Sequence, residues 1–285
     1  MPERRDRAPA LICESDVNHS PNLLLASLAP EIFGALKPHL SLVEYKHGQI
    51  LSEPGDAITA VHFPHSGIVS LVVVLQTGDV VETAMIGRDG ALHAACALDG
   101  KVSLNRAIVQ LPGHGSSIPA QLLSDIADEF PDLRRLLIRH EQVVLAQAQQ
   151  SGACNASHLV EARLCRWLLR CRDLARSDDL LITQEFMAQM LGVRRSSLSL
   201  VANTLQKAGL ISYRRGRVHV INAAGLKEAA CECYDAVREH YDRLLNAGHL
   251  LGGPLSSGHK KTDQQDFDDA RRKRGTGQDV SDKSQ

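Results

Sequence analysis

Two adjacent arginines, Arg194 and Arg195, follow a Gly192-Val193 dipeptide and lead into Ser196, Ser197, Ser199 and Asn203. Guanidinium groups bond bidentately to guanine edges, and short hydroxyl and amide side chains read neighbouring bases. The cluster therefore has the donor chemistry of a major-groove reader. Further on, Arg214, Arg215 and Arg217 surround Gly216, which is the charge a phosphate backbone attracts. The whole chain is balanced, with 32 basic against 33 acidic residues. The balance is uneven along it: residues 160–222 hold eleven basic and five acidic side chains, whereas 21–120 hold five and eight. A merely solvating role for Arg194 and Arg195 is disfavoured, because cations at a helix start oppose the helix dipole.

The elements that position these side chains are readable from periodicity. Thr183 can cap a short helix with Phe186, Met187, Met190 and Leu191 on its apolar face, and Gly192 ends it in a tight turn. A second helix runs from about 194 to 208 and buries Leu198, Val201, Ala202 and Leu205, while the arginines, serines and Asn203 face outward. Gly209 stops it, and two short strands around Arg215-Gly216 form a hairpin. Helix, turn, helix and β hairpin together make a winged helix-turn-helix.

Upstream, residues 40–120 alternate short β-branched runs with glycines about every ten residues, the pattern of a compact antiparallel β sandwich or barrel. After Pro119 the period becomes helical. Between 132 and 150, Leu133, Leu136, Leu137, Val143 and Val144 recur at three- and four-residue steps. That stripe packs either on the β domain or on a partner copy, and a dimer seam through Leu133, Leu137, His140 and Val144 is the sharper expectation. Helices are also expected at 157–176 and 223–247. With 44% hydrophobic residues the chain can bury sizeable cores.

The expected fold is α+β: an N-terminal antiparallel jelly-roll-like β-roll, a long dimerisation helix and a C-terminal winged helix-turn-helix. The expected division is a disordered 1–20, a β-roll sensor at 21–130, the dimer helix at 131–155, the DNA-binding domain at 156–222, an additional helix at 223–250 and a disordered tail at 251–285.

The stretch Thr183 to Gly216 resembles the winged-helix domain of the Crp/Fnr superfamily of bacterial transcription regulators, reading T-x-x-x-x-A-x-x-L-G-V-x-R-x-S-L-x-x-V-x-x-x-L-x-x-x-G-L-I-x-Y-x-R-G. Residues 48–71, with G-x-x-L-x-x-x-G-D and a later S-G-x-V, resemble the opening of that family's cyclic-nucleotide-binding-type roll. The resemblance implies a dimeric one-component regulator reading an inverted repeat in double-stranded DNA, with RNA polymerase as a further partner. It implies guanine reading by Arg195, a phosphate contact at Thr183 and base-facing positions at Ser196 and Ser199. Ser196 stands where well-known members carry a glutamate and Leu200 where they carry an arginine, so a different operator is expected.

The family's cyclic-nucleotide pocket needs a ribose-binding glutamate followed by Arg-Ser/Thr. Here the corresponding stretch lacks the glutamate and reads Arg106-Ala107. Cyclic nucleotide is therefore not expected as a cofactor, and Arg88 and Arg106 remain as candidate effector-pocket residues in a degenerate or altered-ligand sensor. Iron–sulfur ligation is disfavoured, since only Cys13 and Cys96 occupy the relevant region. Cys231-x-Cys233 offers half a zinc site, but tetrahedral zinc takes four ligands and no second pair is evident, so no metal is expected. On a helix the two thiols would project to different sides.

An enzyme is disfavoured, since the chain carries no P-loop, dinucleotide fingerprint, H-E-x-x-H or G-x-S-x-G. RNA binding by stacking is disfavoured by 4% aromatic content. An adaptor whose winged helix serves a protein interface stays as the alternative. No apolar stretch approaches a membrane span and the N-terminus lacks a secretory core, so a cytoplasmic location is expected.

Overall fold

A computed structural model describes residues 20–245, and side chains through Arg243. The segments expected to be unstructured fall, apart from Ser20, outside the described residues.

Two short helices, α1 (Leu23–Ala26) and α2 (Pro30–Leu36), lead into the β domain. Asn22 caps α1 by accepting from the Leu25 amide at 3.0 Å and donates to the carbonyls of Pro64 and Gly90, both at 2.9 Å, which fastens the entry to the roll. Seven strands follow: β1 (Ser41–Tyr45), β2 (Ile50–Ser52), β3 (Ala60–Pro64), β4 (Ile68–Val74), β5 (Val80–Ile86), β6 (Arg106–Leu111) and β7 (Gly113–Pro119). They form two antiparallel sheets, ordered β1-β7-β3 and β2-β6-β4-β5. Gly78 turns the β4–β5 hairpin with φ +87°, a value open to glycine without strain. Phe63, Val69, Val109 and Ile118 are among the residues buried in the roll.

Next come α3 (Ala120–Glu129) and α4 (Pro131–Ser157), the latter starting with Pro131 at N1 and ending two residues past the expected 131–155 segment. The C-terminal part holds α5 (Val160–Ala175), β8 (Asp179–Leu180), α6 (Gln184–Met190), α7 (Arg195–Lys207), β9 (Ile211–Arg214), β10 (Arg217–Val220), α8 (Ala223–Glu228) and α9 (Cys233–Leu245). The third sheet, β8-β10-β9, is the wing. Among the described residues no helix is long and apolar enough to cross a membrane.

Three expectations change. First, Leu133, Leu137 and His140 do not form an open seam. Leu133 and Leu137 are buried in a core with Ile118, Leu123 and Ala94, and His140 accepts from the Ala91 amide at 3.0 Å. Val144 is half-buried against the core of Ile86, Leu92 and Val109. Their own β domain satisfies them.

Second, the single helix expected over 223–247 breaks between Glu228 and Cys233. The break lets α9 fold back along α4, where Val143 packs with Val237 and Tyr241, and Tyr241 Oη donates to Gln147 Oε1 at 3.0 Å. Third, Cys231 and Cys233 therefore point the same way, into one small cluster with Cys154.

Candidate nucleic-acid interface

Local chemistry builds the reading head. Thr183 Oγ1 accepts from the Phe186 amide at 3.1 Å and starts α6. Gly192 then takes φ +62°, and a Cβ there would come within 3.0 Å of Val81, so the turn needs glycine for both conformation and space. Arg194 is the N-cap of α7, whose buried side is Leu198, Ala202 and Leu205. The opposite side leaves Arg194, Arg195, Ser196, Ser197 and Asn203 exposed.

The wing is a two-residue hairpin, with Arg214 opposite Arg217 and both central residues left-handed, Arg215 at φ +51° and Gly216 at φ +77°. Those signs are the type I′ turn that suits the twist of paired strands. Arg214, Arg215 and Arg217 are exposed. The wing is tied to the helices: Tyr213 N–H donates to Gln206 Oε1 at 2.8 Å, and Gln184 N–H donates to Tyr213 Oη at 3.3 Å. Among the described residues none of the five exposed guanidinium groups on α7 and the wing sits in an ion pair. Exposed and uncompensated cations on one helix start and one hairpin form a surface suited to polyanion binding.

Ser199 departs from its expected place. It is half-buried and its hydroxyl donates to Gln184 Oε1 at 2.8 Å, so it clasps α7 to α6 instead of projecting freely. The basic excess also divides differently from the sequence count. Arg163, Arg166 and Arg170 are buried, and Arg172 pairs with Asp178. Arg170 is held by Asp89 at 2.8 Å and lies over the Tyr241 ring at 4.4 Å. Arg163, Arg166 and Arg170 thus serve the protein interior.

The reading head is docked on the β-roll through a buried polar chain that the sequence did not reveal. Trp167 Nε1 on α5 donates to Glu82 Oε1 at 2.8 Å, and Glu82 Oε2 lies 2.6 Å from Ser70 Oγ, which is 2.8 Å from Gln110 Oε1. Ser70 has one proton for two acceptors. The two carboxylate bonds, from Ser70 and Trp167, only partly offset burial, which pushes the Glu82 pKa up to about 7.

In the β domain, a cavity of about 190 Å³ lies between the roll and α4. Ile58, Leu71, Ile86, Leu92, Val144 and Glu141 are among its lining residues. Neither expected arginine lines it. Arg106 Nε pairs with Glu53 at 2.8 Å, and Arg88 Nη2 donates to the Pro21 carbonyl at 3.3 Å. A cavity below the roughly 300 Å³ of ordinary ligand sites, with a carboxylate and no cation on its wall, does not suit a cyclic phosphate.

Residues 162–229 match the family model of the Crp-like helix-turn-helix domain. Among characterised proteins, the chain is 22% identical over 204 residues to a global nitrogen regulator of Synechococcus elongatus, covering 68% of this chain and 92% of the relative. A global nitrogen regulator of Synechocystis is 23% identical over 184 residues, 61% of this chain and 82% of that one. Among solved structures, FixK2 from Bradyrhizobium japonicum aligns with a TM-score of 0.57 at 14% identity, covering 67% of this chain and 98% of that chain. A Crp/Fnr-family putative transcriptional regulator from Eubacterium rectale aligns at 0.56 and 16% identity, over 72% and 96%.

Proposed function

We propose that the chain, whose residues 162–229 match the Crp-like helix-turn-helix domain, is a Crp/Fnr-type transcriptional regulator that works as a homodimer reading an inverted-repeat operator through the start of α7. The observation that carries this is the row of exposed, uncompensated arginines: Arg194 and Arg195 on the α7 start, Arg214, Arg215 and Arg217 on the wing. Arg195 reads a guanine, Arg194, Ser196, Ser197 and Asn203 line the same groove, and Thr183 and the wing hold phosphates. Ser199 sets the angle between α6 and α7. A protein interface on this surface is not favoured, since five exposed cations without carboxylate partners suit a polyanion.

The dimer uses a different stripe of α4 from the one first expected. Ile138, Gln142, Leu145, Gln149, Gly152 and Ala156 are all exposed and repeat at four- and three-residue steps. At about 100° per residue they lie opposite the face covered by the roll and α9. Ile138 is 41% and Leu145 58% exposed, which costs solvation in a monomer and supports burial against a second copy. Gly152 has open space at its Cβ, so two helices can approach closely there. A two-fold axis along α4 then sets the separation of the two α7 helices at about one DNA turn.

The sensor cavity takes a small, weakly polar effector, not a cyclic nucleotide, and it reports through α4, which Glu141 and Val144 place on its wall.

Selection of sites from random duplex DNA tests the reading. Wild-type protein is expected to enrich a palindrome, and Arg195→Ala to lose about 1–3 kcal/mol of discrimination at one base pair of each half-site. Enrichment of the same palindrome with undiminished stringency by the variant would overturn the assignment of α7.

A further inference from the structure

We propose that Cys154, His158, Cys231 and Cys233 form a structural zinc site that fastens the segment after the wing to the end of α4. The site does not rest on the DNA-reading proposal. Cys154 and His158 are one helical turn apart near the C-terminus of α4, so both project from one face. Cys231, in the loop after α8, and Cys233, the first residue of α9, come from more than 70 residues away. One ligand atom from each of the four lies within 4.8 Å of every other.

Two of the separations lie near those of tetrahedral coordination. Zinc bonds of about 2.3 Å to sulfur and about 2.0–2.1 Å to nitrogen require edges of about 3.8 Å between sulfurs and about 3.6 Å between sulfur and nitrogen. Cys154 Sγ and Cys231 Sγ stand 3.5 Å apart, and Cys233 Sγ and His158 Nδ1 stand 3.6 Å apart. Three sulfurs and one imidazole are a closed structural donor set, soft enough to favour zinc over magnesium or calcium.

The surroundings match as well. With Nδ1 facing the sulfurs, His158 presents Nε2 to Glu232 Oε1 at 3.2 Å. That is the carboxylate–histidine arrangement that fixes the ring tautomer of a metal ligand. Gln150 Nε2 donates to Cys233 Sγ at 3.0 Å. All three thiols are buried, so the metal would be shielded from water. Three thiolates, a neutral imidazole and Zn²⁺ carry a net charge of −1, and binding releases three protons from the thiols. Arg163 and Arg166, buried near the sulfurs and without a carboxylate bond, offset that charge.

Full-length protein purified under reductant and without chelator tests the site by metal analysis, cobalt substitution and thiol labelling. About one zinc per chain is expected, along with the ligand-field bands of tetrahedral thiolate-bound Co²⁺, and protection of Cys154, Cys231 and Cys233 from alkylation until a chelator is added. Glu232→Gln keeps all four ligands and is expected to weaken zinc binding by about 10-fold or more while the chain still folds. A wild-type protein that holds no zinc, gives no such bands with Co²⁺ and alkylates equally with and without zinc would overturn the proposal. So would a metal-free protein in which air closes a Cys154–Cys231 disulfide, which would make the cluster a redox pair.

Discussion

Replacing Glu82 by glutamine is expected to stabilise the protein at alkaline pH and to remove part of its pH dependence. The glutamine is isosteric: its Oε1 accepts from Trp167 and its Nε2 donates to Ser70, so the buried chain is kept without a titrating group. In the wild type, burial raises the Glu82 pKa from 4.5 to about 7, partly countered by the Ser70 and Trp167 bonds and by Arg166 and Arg170. The folded state then binds the proton more tightly than the unfolded state. The Glu82 contribution is fully present below about pH 4.5, falls as the pH rises, and is gone above about 7. At 1.36 kcal/mol per unit the swing is about 3 kcal/mol, or roughly 6–12 °C in Tm for a chain of this size. Thermal scans of both proteins from pH 5 to 8.5 check this, and the difference between them matters more than either curve. His62, whose pKa burial lowers to about 4, destabilises the fold as the pH falls and bends both curves alike. A Glu82→Gln protein that melts below wild type at pH 8 would refute the reasoning, because it would mean that folding favours the ionised carboxylate, through Arg166 and Arg170, where burial is argued to disfavour it.

Leu145→Glu places a charge in the middle of the exposed α4 stripe, and sedimentation at micromolar concentration is expected to show a monomer with an unchanged circular dichroism spectrum; a persisting dimer would move the interface elsewhere. Arg215→Gly relieves a left-handed non-glycine residue and is expected to raise stability by up to about 1 kcal/mol in chemical denaturation. The same change is expected to reduce the salt slope of DNA binding by about one, which filter binding across a range of salt concentrations measures.

The reading head was legible because its determinants are local. A capping threonine, a glycine at φ +62°, a 3.6-residue apolar period and an Arg-Gly turn act within a few residues of each other. Glycine-punctuated β-branched runs likewise announced the roll. The period of α4 was equally clear, yet period reports only that a face is apolar. Whether Leu137 meets a partner copy or Leu123 of its own chain depends on what lies beside the helix. Net charge had the same blind spot, since Arg163, Arg166 and Arg170 count as basic in a sequence window but are buried in the fold.

Sequence alone thus determined the kind of protein this is, a β-roll followed by a winged helix-turn-helix with Arg194, Arg195 and the wing arginines outward. Tertiary structure decided the rest. It placed Glu82 against Trp167 across 85 residues, folded α9 back onto α4, committed Ser199 to Gln184, and closed Cys154 and His158 around Cys231 and Cys233. Each of these depends on a contact whose energy is realised only after distant segments have packed, and no short-range pattern of residue types records it.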